Sequence, residues 1–217
     1  MQANKLIFKL MFVVFCLSFI LLGFAGWSIY MEQKFMDDAL REWEAMFQEA
    51  DMSQIEDDLT LTQLVALEDT QKENSYKTAK EGDVIGKLSL PSVDIEVPII
   101  MGTGDQELAM GVGHYIGSAF PGEQNQTVLS GHRQTVFRQL EKVQLGAEAI
   151  AETLDGRFTY EIVDMFVVDK EDRGVIVPQD KAILTLVTCY PFNFVGAAPK
   201  RYIIQAELVE EHYSARR

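Results

Sequence analysis

Apolar residues are distributed in three different ways along this chain. Between Leu10 and Tyr30 they run almost unbroken. Leu10 to Phe15, Leu17 and Phe19 to Leu22 are apolar, and no charged residue interrupts the stretch. About 21 residues at ~1.5 Å rise per residue cover a ~30 Å hydrocarbon layer. Lys5 and Lys9 precede the run, which predicts a cytoplasmic N-terminus, and Trp27 and Tyr30 close it, where aromatic rings favour the membrane interface. A cleaved signal peptide is the competing reading. Its apolar core is shorter, about 7–15 residues, and Phe24-Ala25-Gly26-Trp27 makes a poor cleavage site. Residues 1–30 are therefore expected to be an uncleaved anchor, single-pass, with the remainder outside the cell.

From Met31 to Glu81 the spacing changes to three- and four-residue steps. Phe35, Met36, Ala39, Leu40, Trp43, Met46, Phe47 and Ala50 recur with acidic residues between them, and no Gly or Pro intervenes. This predicts a helix. Ser53 with Glu56 has the spacing of a capping box for a second helix through Leu59, Leu64 and Leu67. The segment carries a net charge of −9. It reads as an acidic stalk holding a domain off the membrane; a regulatory arm lying over an active site is the sharper alternative.

From Gly82 onward the pattern is that of strands. Val84–Leu90 ends at Pro91, and Val93–Met101 alternates through Asp94 and Glu96. Thr127–Ser130, Arg157–Asp169, Ala182–Thr188 and Arg201–Val209 are rich in β-branched and aromatic residues. Pro121-Gly122, Asp155-Gly156, Pro178 and Gly196 mark turns between them. Only Gly104–Met110 and Gln134–Leu140 read as briefly helical. Many short strands with few helices predict an all-β sandwich or barrel over residues 82–217.

Composition narrows the function. The whole chain is 47% hydrophobic, enough for a packed core, while a net charge of −14 weighs against a nucleic-acid partner, which needs clustered Lys and Arg. There are two cysteines, Cys16 inside the apolar run and Cys189 in the exported part. A bilayer between them excludes an intramolecular disulfide. An unpaired Cys in an exported protein suggests an intermolecular bond or a reactive thiol.

Cys189 follows the apolar strand Ile183-Leu184-Thr185-Leu186-Val187-Thr188 and precedes Tyr190-Pro191. Pro191 cannot donate to a strand ladder, so the thiol is expected near a strand end, where a site can open. A buried, inert Cys is the bland alternative. His132 stands where Thr127-Val128-Leu129-Ser130-Gly131 runs into a turn, and it alone of the three histidines ends a predicted strand. His114 lies in the Gly-rich stretch Gly111-Val112-Gly113-His114-Tyr115 and reads as a loop residue; His212 lies in the charged tail. A hydrogen-bonded structural His is the alternative for His132. Arg201 opens the last strand and is either a solvated surface cation or a fixed fork of donors for an oxyanion or for substrate carbonyls. Cys and His together make the parts of a thiol acyl-transfer site, in which a thiolate attacks a carbonyl and the His returns a proton to the leaving amine. They are 57 residues apart, with Arg201 a further 12 beyond the Cys, and spacing alone does not bring them together.

These residues resemble the sortase family. Thr185-Leu186-Val187-Thr188-Cys189 is similar to the family signature Thr-Leu-x-Thr-Cys, with Arg201 following at the family's distance. Ser130-Gly131-His132-Arg133 resembles its His motif, and Gly113-His114-Tyr115-Ile116-Gly117-Ser118-Ala119-Phe120-Pro121-Gly122 the loop before it. The similarity extends from Gly86 to Leu208. Tyr190-Pro191-Phe192 and Ala198-Pro199-Lys200-Arg201-Tyr202-Ile203 look most like class D sortases. The resemblance implies a sortase-type eight-stranded β-barrel with short helices. It implies cleavage of a Leu-Pro-x-Thr-type cell-wall sorting signal after the Thr, and resolution of a Cys189 thioester by an amine of a peptidoglycan precursor. That makes a transpeptidase first and a hydrolase second, at a Gram-positive cell surface. On matching positions, Cys189 is the implied nucleophile, His132 the acid/base and Arg201 the oxyanion or substrate-binding cation; Thr188 matches the family Thr and is expected to touch substrate. No EF-hand-type loop spacing occurs, and neither cofactor nor metal is expected.

Two other readings compete. A transpeptidase of the L,D type places its His and Cys within one short neighbourhood, unlike the separation here. An anchored extracellular β domain that binds wall components without catalysis requires Cys189 to be buried and inert.

Overall fold

The computed structural model describes residues 2–57, 78–194 and 196–214. One long helix, α1 (Gln2–Asp57), precedes a barrel of eight strands: β1 (Val84–Leu90), β2 (Ile95–Met101), β3 (Val112–His114), β4 (Asn125–Ser130), β5 (Glu148–Thr153), β6 (Gly156–Asp169), β7 (Ala182–Tyr190) and β8 (Lys200–Tyr213). A short helix, α2 (Asp105–Met110), lies between β2 and β3, and 3-10 turns occupy Pro91–Val93 and Leu140–Lys142.

The ring closes in the order β1-β2-β3-β4-β7-β8-β6-β5. The pairings β2–β3 and β4–β7 are parallel and the rest antiparallel. Closure leaves no free sheet edge, which removes the template for edge-to-edge aggregation. Alternation along each strand sends one set of side chains inward. Leu88, Leu90, Val97, Ile99, Leu129, Phe158, Tyr160, Ile162, Leu184, Leu186, Ile204 and Ala206 form the continuous core.

Six strands fall where the alternation predicts them, with shifted ends. Two were not expected. β3 is built from the Gly-rich stretch read as a loop, and His114 within it is buried, at 1% exposure. β5, Glu148–Thr153, has an alanine-rich sequence of weak strand preference; pairing with β1 on one side and β6 on the other extends it. Gln134–Leu140 forms turns rather than a regular helix, ending in the 3-10 turn.

Helix α1 passes through Ser53 and Glu56 without a break, so these residues lie inside the helix rather than capping a second one. Leu59, Leu64 and Leu67 lie outside the described residues. Over Val14–Gln48 the helix is long and apolar enough to cross a membrane. Toward the end of that same span, Ala39 and Trp43 are buried and Met36 packs against the barrel core. Met46 faces Val84 and Ile85, while Trp43 and Phe47 flank Lys87 and Glu152. This docking is on β1, β2 and α2, and β7, the strand of Cys189, lies on another part of the ring.

Candidate active site

Strands β4, β7 and β8 lie side by side, and their registers decide which side chains meet. On β7, Leu184 and Leu186 belong to the core, so Thr185, Val187 and Cys189 share the outer face. On β4, Leu129 points inward, leaving Gln126, Val128 and Ser130 outside; on β8, Ile204 and Ala206 point inward, leaving Arg201, Ile203 and Gln205 outside. Cys189 pairs directly with Arg201 across the antiparallel β7–β8 ladder. Side chains of such opposed residues share a face, with Cβ atoms about 4.5–5.5 Å apart. Ser130 pairs with Val187 across the parallel β4–β7 ladder, and the next amide, that of Gly131, still donates to the Val187 carbonyl at 3.1 Å. Two residues beyond each partner stand His132 and Cys189. The outer face of three adjacent strands thus carries His132, Cys189 and Arg201 in one row at its end.

Each member is positioned differently. Cys189 is half-buried on β7, which ends one residue later. Arg201 is also half-buried; its Nη1 donates to the carbonyls of Lys200 at 3.0 Å and Ala198 at 3.3 Å, which ties the guanidinium to the β7–β8 connection. His132 is exposed on a turn anchored from beneath. The amide of Phe137 donates to the His132 carbonyl at 3.0 Å, and Phe137 and Leu140 are fully buried in the core. Gly131 permits the tight approach: a Cβ there would stand 2.6 Å from Phe137 Cδ2 and 2.8 Å from Val136 Cγ2.

Thr188 lies on the other face of β7. It is only 2% exposed, shares the inner face with Leu186, and its Oγ1 donates to the Gly131 carbonyl at 2.7 Å. Its hydroxyl ties β7 to the turn carrying His132 instead of facing a groove. Two further side chains escaped the sequence reading. Arg133 is buried, and its Nη2 donates to the carbonyls of Phe194 at 2.7 Å and Gly196 at 3.2 Å, joining the His132 turn to the β7–β8 connection. Gln126 is buried under the β6–β7 connection. Their partners are backbone atoms distant in sequence, so only Arg133's place beside His132 could have drawn notice.

Tyr190, Phe192 and Tyr202 seal the barrel end below the row, with ring centroids 5.4–6.2 Å apart. Burial, with the neighbouring Tyr190 and Glu141, pushes the Tyr202 hydroxyl above the usual tyrosine range, so it stays neutral. A cleft of about 600 Å³ opens between the His132 turn and the β7–β8 connection, lined by Arg138, Lys142 and Asn193 among others. Among the described residues no group of three His, Cys, Asp or Glu side chains could hold a metal ion.

A half-buried cysteine paired across the ladder with an arginine, with a histidine two residues past the end of the neighbouring strand, has the parts for acyl transfer. A thiol is a nucleophile for acyl groups, and an imidazole can carry a proton to or from the reacting groups. Comparisons with known proteins agree. The Sortase domain profile matches residues 88–209. Sortase D of Bacillus subtilis is 44% identical over 142 residues, covering 65% of this chain and 72% of that protein. Among solved structures, a Clostridium perfringens Sortase D5 transpeptidase superposes with a TM-score of 0.61 at 26% identity, covering 82% of this chain and 98% of the other. The catalytic domain of B. anthracis SrtD superposes with a TM-score of 0.55 at 37% identity, covering 67% and 99%. The chain belongs to the sortase family of cysteine transpeptidases and is most like its class D members.

Proposed function

We propose that this sortase is anchored by its N-terminal helix with its barrel outside the cell, cleaves Leu-Pro-x-Thr-type sorting signals after the Thr, and joins the acyl product to an amine of a peptidoglycan precursor. The row His132, Cys189, Arg201 carries this reading. The Cys189 thiolate attacks the Thr carbonyl, and Arg201 stabilises the oxyanion that develops or holds a substrate carbonyl. As the C–N bond breaks, His132 gives a proton to the departing amine, leaving a thioester on Cys189. The acceptor amine attacks the thioester, His132 takes its proton, and the thiolate leaves. One peptide bond is broken and one amide formed. Water in place of the amine gives the slower side reaction, hydrolysis. Thr188, through Gly131, keeps the His132 turn beside β7.

The outer face suits an extended acyl donor. From Cys189 it runs back along β7 past Val187 and Thr185 toward the β6–β7 connection, where Ile176 and Val177 are exposed. Lys5 and Lys9 before the apolar run support a cytoplasmic N-terminus. Anchoring would keep the barrel on the same surface as membrane-held substrates, raising their effective concentration.

The test is to incubate the detergent-solubilised chain with quenched Leu-Pro-x-Thr-x peptides, with and without triglycine or diaminopimelate. Cleavage with amide product when amine is present supports the reading. No cleavage of any such peptide, together with a Cys189 thiol that resists iodoacetamide, would overturn it.

A further inference from the structure

Strand pairing aligns the row but ends close to two of its members. β4 stops at Ser130, two residues before His132, and Arg201 stands on the last rung but one of the β7–β8 ladder. Local opening is easiest at the ends of elements, so restraints outside the ladder matter here. The His132 turn has its own: Thr188 Oγ1 donates to the Gly131 carbonyl at 2.7 Å, and the Phe137 amide to the His132 carbonyl at 3.0 Å. The β7–β8 connection, residues 191–199, is a different case. Asn193, Phe194, Gly196 and Ala197 in it are exposed, and Gly196 turns the chain with φ +96°.

Two guanidinium groups divide this connection between them. Arg133, next to His132, donates through Nη2 to the Phe194 carbonyl at 2.7 Å and the Gly196 carbonyl at 3.2 Å, which uses both hydrogens of that nitrogen. Arg201 takes the carbonyls that follow, Ala198 at 3.3 Å and Lys200 at 3.0 Å. Between these two, the Pro199 carbonyl accepts from the Lys170 amide at 3.0 Å. Arg133 is an expensive clamp. It is 7% exposed, its Nε is buried without a partner, and among the described residues no carboxylate pairs with it. A buried cation satisfied in this incomplete way costs stability that an apolar side chain would not. Local rules broken at such a cost are expected at functional sites.

We propose that Arg133 is a positioning residue for Arg201: it clamps Phe194 and Gly196 onto the His132 turn, and so fixes where the connection delivers the Arg201 guanidinium relative to His132 and Cys189. The inference rests on the function proposed above. Arg133 touches no reacting atom in this scheme, and its effect passes through Arg201, whichever substrate oxygen that group meets. Its loss should therefore lower kcat/KM while Arg201 is present, and matter little once Arg201 is replaced. A clamp that served the fold alone would lower stability and show no such dependence on Arg201.

The experiment is a double-mutant cycle on the detergent-solubilised full chain, with a quenched Leu-Pro-x-Thr-x peptide and triglycine. Its members are Arg133→Met, Arg201→Lys and the two combined, with Arg133→Lys alongside. Turnover is expressed per folded molecule, the folded fraction coming from a thermal melt. Met removes the charge and every donor, and Arg133→Met is expected to lower kcat/KM about tenfold. Lys keeps the charge and can reach one of the two carbonyls, so Arg133→Lys should lose only about threefold; it carries the test, alone and combined with Arg201→Lys, if Arg133→Met does not fold. In the Arg201→Lys background, Arg133→Met should cost less than about a further twofold. Unchanged kcat/KM in a folded Arg133 variant, or the same loss with and without Arg201, would overturn the role of Arg133 while leaving the function intact. Failure of the unaltered chain to cleave any such peptide would overturn both.

Discussion

The two faces of strands β4, β7 and β8 are made from the same three segments and do different work. Inward, Leu129, Leu184, Leu186, Ile204 and Ala206 are buried to 0% and fill the barrel. Outward, Gln126, Thr185, Cys189 and Arg201 carry the polar groups, with His132 just past the end of β4. A shift of one residue along β7 therefore passes from proposed chemistry at Cys189 to structure at Thr188. The rigid inner face sets the registers, and the registers put the outer side chains in one row. Substitutions on the two faces should consequently separate activity from stability.

The strongest test of that separation is Cys189→Ala. It removes the proposed nucleophile from a half-buried outer position, and transpeptidation should fall by at least about 10⁴-fold. The melting temperature should move by no more than a degree or two, because no buried cavity or unpaired polar group results. Peptide turnover followed by chromatography, paired with a thermal melt, reads both quantities. Equal loss of both would mean that the faces are not separable at this site.

The inverse experiment is Gly122→Ala. Gly122 has φ +85° and its amide donates to Tyr160 Oη at 2.8 Å, while an added Cβ would stand 2.1 Å from Phe158 Cε1. Phe158 and Tyr160 are fully buried inner-face rings and cannot withdraw. Steric overlap and a left-handed backbone together should cost about 3 kcal/mol, read from urea denaturation. Molecules that remain folded at low temperature should keep their turnover.

Thr188→Val tests the one inner-face residue of β7 that reaches the His132 turn. Valine keeps the shape and loses the bond to the Gly131 carbonyl, leaving that carbonyl buried without this donor. The expected cost is about 1–2 kcal/mol of stability. Because the turn carries His132, a several-fold fall in kcat should accompany it. Loss of stability with kcat unchanged would show that Gly131 and its neighbours hold the turn without Thr188.

How much of this was readable beforehand follows the same division. The long strands announced themselves through β-branched and aromatic residues. β3 did not, since three residues among glycines carry no period, and β5 did not, since Glu-Ala-Ile-Ala-Glu-Thr becomes a strand only through its neighbours β1 and β6. Cys189, His132 and Arg201 could be named from residue type, strand ends and family resemblance. Their common row could not, because it depends on β4 pairing parallel with β7 although β5 and β6 lie between them in sequence. Thr188 illustrates a related point: next to a nucleophile in sequence means the opposite face in a strand. Gln126 was invisible because its bonding partners at Val175 and Val177 are 49 and 51 residues away.

The smallest expected effect concerns pH, and it also distinguishes the faces. His114 on β3 is opposite Leu129, stacked on Phe120 at 4.8 Å, with Nε2 at 2.9 Å from the Ala119 carbonyl and 3.2 Å from Ser118 Oγ. The Ala119 contact requires a proton on Nε2. Nδ1 is buried without a partner, so a second proton there would have none. Burial accordingly pushes the imidazole below its ordinary pKa of 6.5, against the smaller opposing effects of Ala119 and Glu123. As pH falls, the unfolded chain takes up this proton before the folded one does. The stability contributed by His114 is therefore complete above about pH 6.5 and lost as pH drops through the lower folded value. His114→Gln keeps a donor toward Ala119 and cannot titrate. Between pH 7.5 and 5.5 the unfolding free energy of the unaltered chain, read from urea denaturation, should fall further than that of the variant, by less than about 1.4 kcal/mol. Turnover per folded molecule should change alike in both chains over this range, since His114 acts through the inner face. A variant whose pH–turnover profile diverges from that of the unaltered chain would instead tie β3 to the chemistry.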